Sequence, residues 1–91
     1  MRTIWKFPVL STGPCEIEVP EPGMMVHVGR DPLTGLVAFW AEVESDAPKV
    51  ARRFLVVGTG HPIPADAAHR GSVVNGDFVW HLLELPEAER P

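Results

Sequence analysis

Short stretches in which apolar and polar residues alternate dominate this sequence. Counted from the amino end, five predicted strands cover residues 3–9, 16–19, 24–29, 36–43 and 50–57, of which the last two are mostly apolar. Alternation with a period of two is typical of a β-strand with one buried face. The fifth stretch ends in the continuous apolar run Phe54-Leu55-Val56-Val57, which a glycine closes. Such a run predicts a strand that is buried on both faces.

Two further stretches near the carboxyl end flank the dipeptide Asn75-Gly76. Asn-Gly between apolar residues favours a hairpin with a type I′ turn, because both central residues of that turn take positive φ. We therefore predict one strand that ends near Val74 and another that begins near Phe78. Before this hairpin, residues 64–69 offer room for at most one short helical turn.

These elements predict an all-β, mainly antiparallel fold of six or seven short strands, arranged as a small sandwich or a partly open barrel. The first two strands are expected to pair with each other as a hairpin. Residues 1–85 should form a single β-domain, because a chain of 91 residues can bury one modest core. Residues 86–91 contain two glutamates and two prolines, and we expect an acidic, flexible C-terminal tail.

The charge and the cysteine content limit the partners and the cellular location that we expect for the protein. The net charge of −4 argues against general nucleic-acid binding, which depends on neutralising phosphates. The sequence has no apolar run long enough to cross a membrane, and no apolar segment of a secretory signal follows its start. The single cysteine, Cys15, excludes an internal disulfide and favours a reducing compartment. We therefore expect a cytoplasmic protein with no membrane partner.

The segment from Gly58 to Pro64 is the most constrained loop of the chain. Its two glycines allow positive φ on either side of Thr59, and each proline restricts the residue before it. The loop is expected to expose backbone N–H groups near Thr59 and His61, which could hold an anion together with nearby arginines. The candidate ligand-binding residues are Arg52, Arg53, Gly58, Thr59, Gly60 and His61. The alternative interpretation is a tight strand exit that only turns the chain.

Known catalytic and cofactor motifs fit this loop poorly. No Lys-Ser or Lys-Thr follows the glycines, and Ile63 stands where a dinucleotide fingerprint requires glycine. The histidines and the cysteine lack the close pairing of structural zinc ligands. Thr59, His61 and Asp66 form a triad-like set that leaves hydrolysis as a weaker alternative. We predict a protein that is not an enzyme and needs no metal or cofactor.

Three sequence blocks resemble a family of small uncharacterised proteins of phages and prophages. The blocks are Thr3-Ile4-Trp5-Lys6-Phe7-Pro8, Gly58-Thr59-Gly60-His61-Pro62-Ile63, and Val79-Trp80-His81-Leu82 with Glu84. They span residues 3 to 84, and the middle block is the most specific. The alanine- and proline-rich composition and the longer turn at residues 31–35 resemble a version from an actinobacterial phage. The resemblance implies a domain of unknown function that is expressed in a bacterial host cell, and it implies no activity.

Two functions follow from these expectations. The first is a phage accessory protein that acts as a non-catalytic interaction module, either with a host protein or as a homo-oligomer. Its basis is the edge strand expected at Pro8 and the apolar residues on both faces of 36–43 and 54–57. The alternative is a binder, or sponge, of a small anionic nucleotide-like ligand at the Gly58–Pro64 loop.

Overall fold

The structure, a computed structural model, describes residues 1–10 and 13–87. Within these residues the chain forms seven β-strands and no helix. The strands are β1 (Arg2–Pro8), β2 (Cys15–Pro20), β3 (Pro22–Arg30), β4 (Val37–Glu44), β5 (Lys49–Gly58), β6 (Ala68–Asn75) and β7 (Phe78–Leu85). Most of the tail predicted at 86–91 lies outside the described residues. None of the described residues belongs to a helix long and apolar enough to span a membrane.

The strands form two antiparallel sheets. Sheet A has three strands in the order β1-β4-β3, and sheet B has four in the order β2-β5-β7-β6. Neither sheet closes on itself, so the arrangement is a sandwich rather than a closed barrel. The all-β, antiparallel fold predicted from the alternating pattern is confirmed.

The predicted hairpin between the first two strands is wrong. β1 pairs with β4, and β2 pairs with β5 in the other sheet. The Val9 N–H donates to the carbonyl of Val37 at 2.9 Å, so the pairing with β4 continues one residue beyond the end of β1. Phe7, Val9 and Val19 are all buried in one cluster. The first two strands therefore face each other across the core instead of sharing a sheet.

The connection between β6 and β7 also differs in detail from its prediction. Asn75 pairs with Phe78, so the two loop residues are Gly76 and Asp77. Gly76 has a φ of 61°, and no described residue other than glycine has a positive φ. Positive φ at the first central position alone is the pattern of a type II′ turn. The hairpin is thus present, but its turn is shifted by one residue from the predicted type I′ turn.

Residues 64–69 form a turn and the start of a strand. The Ala67 N–H donates to the Pro64 carbonyl at 3.1 Å, and β6 begins at Ala68. The segment 59–67 joins two strands that both pair antiparallel with β7. It therefore runs from one end of sheet B to the other.

Three phenylalanine rings form the centre of the core. The Phe39 ring centroid lies 5.1 Å from that of Phe7 and 4.7 Å from that of Phe54. Phe39 and Phe54 are fully buried, and Phe7 is 9% exposed. Since Phe7 and Phe39 come from sheet A and Phe54 comes from sheet B, these contacts hold the two sheets together.

The edge strands β3 of sheet A and β6 of sheet B lie close together, and a glycine stands at their point of contact. A Cβ placed on Gly71 of β6 would lie 2.6 Å from the Cβ of Val28 in β3. Carbon atoms in proteins do not approach so closely without movement of the backbone. The absence of a side chain at Gly71 therefore allows β3 and β6 to approach, and it closes this side of the sandwich.

Candidate functional site

The Gly58–Pro64 corner lies at the surface, as predicted, but its amides are already used. The Thr59 N–H donates to the carbonyl of Val79 at 3.3 Å, and the His61 N–H donates to that of Gly58 at 3.2 Å. Only Gly60 of the two glycines has a positive φ, at 89°. The expected nest of free N–H groups at Thr59 and His61 is therefore not formed.

The Thr59 hydroxyl belongs to a row of polar side chains on sheet B. It lies 2.8 Å from Nε2 of His81 and can donate to the Val79 carbonyl at 3.4 Å. The other ring nitrogen of His81, Nδ1, lies 2.7 Å from the Ser72 hydroxyl. The Ser72 hydroxyl also lies 3.0 Å from Nε2 of His69. The row links β6, β7 and the residue that follows β5 through side chains, in addition to the backbone hydrogen bonds of the sheet.

The triad-like set of Thr59, His61 and Asp66 is not assembled. Thr59 bonds His81 instead of His61. The ring of His61 instead lies beside Gly58. Asp66 lines a different depression, together with Arg53 at the other end of sheet B. Hydrolysis by such a set requires the nucleophile, the base and the orienting group to be in contact.

Arg52 and Arg53 do not meet the glycine corner. Gly58 lies six positions after Arg52 along an extended strand, which corresponds to about 20 Å. Arg52 makes a bidentate pair with Glu84, with Nε to Oε2 and Nη2 to Oε1 both at 2.7 Å. Its Nη1 donates to the carbonyl of Gly23 in sheet A at 2.6 Å. Arg53 donates to the Pro86 carbonyl at 3.3 Å.

The Arg52–Glu84 pair is a structural link between the two sheets. Side-chain exposure is 19% for Arg52 and 14% for Glu84. Arg70 also donates to Glu84, at 2.9 Å. The hydrogen bonds from Arg52, and then those from Arg70, lower the pKa of Glu84 against the opposing effect of burial. The same carboxylate raises the pKa of Arg52, so the pair stays charged at neutral pH.

A cleft of ≈ 800 Å³ opens between the sheets at the Gly58 end of β5. Apolar side chains from both sheets form most of its walls, among them Val9, Leu36, Val37, Val56, Val73 and Trp80. The polar side chains that reach it are those of Arg30, His61 and Asn75. Of the predicted site residues, Gly58 and His61 line this cleft, whereas Thr59 bonds to the polar row.

Arg30 is the cation of the cleft, and reasoning from the sequence did not identify it. It is the last residue of β3 and directly precedes Asp31. In the sequence, the charge of Arg30 would be expected to pair with that of the adjacent Asp31. Nothing in the sequence therefore indicates that Arg30 is free to bind a ligand. The structure separates the two side chains, because Asp31 is buried and bonds elsewhere.

Asp31 is held by contacts of its own. Its Oδ1 accepts from the Leu33 N–H at 3.0 Å and from Lys6 Nζ at 3.1 Å. The backbone hydrogen bond from Leu33 is the main cause that lowers the pKa of Asp31, and Lys6 adds to the shift. Asp31 is 1% exposed, which places its charge inside the β3–β4 turn rather than at the cleft.

Metal coordination finds no support in the part of the chain that the structure describes. There, no group of three or more histidine, cysteine, aspartate or glutamate residues could hold a metal ion. The rings of His69 and His81 lie near each other, with centroids 6.0 Å apart. Both rings hydrogen-bond to Ser72 instead.

Comparisons with known proteins bear on the whole chain. A family model described as a domain of unknown function, DUF7352, matches residues 1–91. Over 65 residues the chain is 40% identical to cobyric acid synthase of Nocardia farcinica (strain IFM 10152), an alignment that covers 69% of this chain and 12% of that protein. No solved structure matches the chain. The unknown-function domain expected from the three sequence blocks is confirmed, and the chain belongs to the DUF7352 family.

Proposed function

We propose that this protein is a non-catalytic binding module that holds a small ligand in the cleft between its two sheets. One observation carries the proposal, namely the mainly apolar cleft of ≈ 800 Å³ beside the Gly58 corner. Its volume falls in the range of about 300–1,000 Å³ that is typical of small-molecule sites. Apolar walls supply affinity, and the few polar groups, Arg30, His61 and Asn75, would orient the ligand.

The length relation to cobyric acid synthase supports a module. A similar sequence occupies only 12% of that protein, so a stretch of this kind is accommodated within a longer chain. The synthase activity is a property of the longer protein, and we do not transfer it to this chain. On the basis of the three sequence blocks, we propose that the module is a phage or prophage accessory protein that acts in the bacterial cytoplasm.

An anion clamp on the outside of the Gly58–Pro64 loop has less support. The guanidinium of Arg52 is committed to Glu84 and to the Gly23 carbonyl. The loop amides that would complete the clamp donate to backbone carbonyls. We therefore place a nucleotide-like or other small ligand inside the cleft rather than on the loop.

A carboxylate placed on the cleft wall should abolish most of the binding of an apolar probe. We expect N-phenyl-1-naphthylamine, an uncharged fluorescent probe, to bind the wild-type protein saturably and to quench the fluorescence of Trp80, which lines the cleft. The variant Leu36→Glu should weaken this binding about tenfold or more, because a charge replaces apolar contact area. Fluorescence titration measures both effects.

The matched control is Leu33→Glu. Leu33 lies on the same β3–β4 turn and is 85% exposed, but it does not line the cleft. Its substitution adds the same charge to the same turn and should leave probe binding unchanged. Absence of saturable binding to the wild type, or equal weakening by both variants, would refute the proposed function.

Self-association through sheet A is the second candidate. β1 is an edge strand, and Ile4 of β1 and Met24 of β3 both lie opposite Glu42 of β4. Ile4 is 56% exposed and Met24 is 60% exposed, so this row presents apolar surface on the outer face. A second copy that aligned its own β1 along this edge would cover part of it. A host protein is the other occupant that we propose for the same edge.

Light scattering at increasing concentration tests this candidate. We expect the wild type to show a mass above that of the monomer at high concentration, and Ile4→Lys to restore the monomer. Leu33→Lys, which changes an exposed leucine outside the sheets, should behave as the wild type does. A strict monomer at every concentration would remove the homo-oligomer and leave the host protein to be tested by other means.

A further inference from the structure

We infer that the ligand of the cleft is an amphipathic anion, with an apolar body between the sheets and one carboxylate, sulfonate or phosphate group at Arg30. The inference rests on the proposed function, because it specifies the chemistry of the same site. The observation behind it is the juxtaposition of an apolar cleft with a guanidinium that the described residues leave unpaired.

The position of Arg30 is set by the turn that follows it. Its Nη2 and Nε lie 3.3 and 3.6 Å from the point that a Cβ on Gly35 would occupy. Gly35 has a φ of 75°, a conformation that favours glycine, and its lack of a side chain leaves room for the guanidinium against the turn. The turn thereby holds the guanidinium at the rim of the cleft, beside Leu36.

The nearest carboxylate in the sequence does not neutralise this cation. Asp31 is buried and accepts hydrogen bonds from Lys6 and from the Leu33 N–H. Its backbone pairs with Val37 in the sheet, but its guanidinium forms no hydrogen bond or ion pair with any described residue. Its five N–H donors therefore remain available for a planar or tetrahedral anion, which arginine binds in a bidentate manner.

The remaining lining agrees with a single negative charge on the ligand. No aspartate or glutamate is among the described residues that line the cleft, so no carboxylate there would contact an anionic group. His61 and Asn75 lie on the walls and could donate to further polar atoms of the ligand. Trp80 offers a flat surface for an aromatic or extended apolar body.

Two probes that differ by one charged group test the inference. N-phenyl-1-naphthylamine and 1-anilinonaphthalene-8-sulfonate share the same aromatic body, and only the second carries a sulfonate. We expect the wild type to bind the sulfonate about tenfold more tightly than the uncharged probe, since the sulfonate accepts charge-assisted hydrogen bonds from Arg30 and the uncharged probe has no group in that position to accept them. In Arg30→Gln the ratio of the two affinities should fall close to one.

The control for net charge is Lys49→Gln, at the start of β5 and away from the cleft. It removes the same charge and should leave the ratio as it is in the wild type. If the uncharged probe fails to bind, the proposed function fails. If it binds, and the sulfonate is not preferred or is still preferred in Arg30→Gln, only the inference about the anion fails. An unchanged near-ultraviolet circular dichroism spectrum would show that Arg30→Gln is folded.

Discussion

Replacement of Phe39 by alanine is expected to lower the free energy of unfolding by about 4 kcal/mol, within the range of about 3–5 kcal/mol for buried phenylalanine. Phe39 is fully buried, and its ring packs against Phe7 on one side and Phe54 on the other. The substitution therefore removes contacts within sheet A and between the sheets at once. Domains of this size are stable by only about 5–15 kcal/mol, so a large part of the total would be lost.

The matched control is the same substitution at an exposed phenylalanine. Phe78 is 65% exposed and stacks on Trp80 at a centroid distance of 5.9 Å. Phe78→Ala should change the free energy of unfolding by about 0.5 kcal/mol or less. Urea denaturation followed by circular dichroism measures both variants. Similar losses in the two would contradict a core centred on Phe39.

The second large effect is expected from Arg52→Met, which should cost about 3 kcal/mol, near the lower end of the range for breaking a buried ion pair. The variant leaves Glu84 with Arg70 as its remaining cation and removes the donor to the Gly23 carbonyl. Methionine keeps most of the apolar length of the side chain. The loss would therefore report the hydrogen bonds and charge of Arg52 rather than its volume.

Arg53→Met is the control on the neighbouring residue of the same strand. The side chain of Arg53 makes a single hydrogen bond to a described residue, a long one at 3.3 Å to the Pro86 carbonyl. We expect a change of about 0.5 kcal/mol or less in its free energy of unfolding. A result in which both variants lose equally would show that charge on β5, and not the Arg52–Glu84 pair, stabilises the fold.

The Arg52–Glu84 pair makes the free energy of unfolding depend on pH. The pKa of Glu84 is lowered in the folded state from its ordinary value of 4.5. The pair therefore stabilises the protein above that value, and this contribution is lost as the pH falls through the lowered pKa. We expect the difference between the wild type and Arg52→Met to narrow over that acidic range. Asp31, whose pKa is also lowered, contributes with the same sign in both proteins.

The strands themselves could be predicted from the sequence because their signal is local. Alternation such as Val37, Phe39, Ala41 and Val43 on one face of β4 is visible within eight residues, and three of these four side chains are fully buried. Glycine and proline mark the ends of most strands. Residues close together in the sequence determine both the alternation of a strand and the presence of a turn. Strands could therefore be predicted without knowing how they pair in the sheets.

Strand pairing and turn register depend on distant residues and were predicted less well. The alternation in β1 and β2 is compatible with either sheet, and only the packing of Phe7 against Phe39 decides the matter. At Asn75-Gly76 the dipeptide favours one turn, but the register that pairs Val73 with Trp80 requires the turn one residue later. Long-range packing thus overrides a local preference.

Of the residues predicted for the candidate site, Gly58 and His61 line the cleft, and their binding role stays a prediction. The sequence could not show that Arg52 points into an ion pair with Glu84, 32 residues further along the chain. Nor could it show that Asp31 turns inward and leaves Arg30 unpaired. Both facts depend on which side chains the fold brings together.

The link at Arg52 and the cleft follow one another along β5, because the residues from Leu55 to Gly58 line the cleft. Arg52 connects the sheets near the Gly23 end of β3, and Arg30 at the other end of β3 lines the cleft. Among the described residues no ladder hydrogen bond crosses from one sheet to the other. The spacing of the sheets at the cleft is therefore set by side-chain packing, and a substitution that changes the volume of a wall residue should change the thickness of the ligand that fits without disturbing strand pairing.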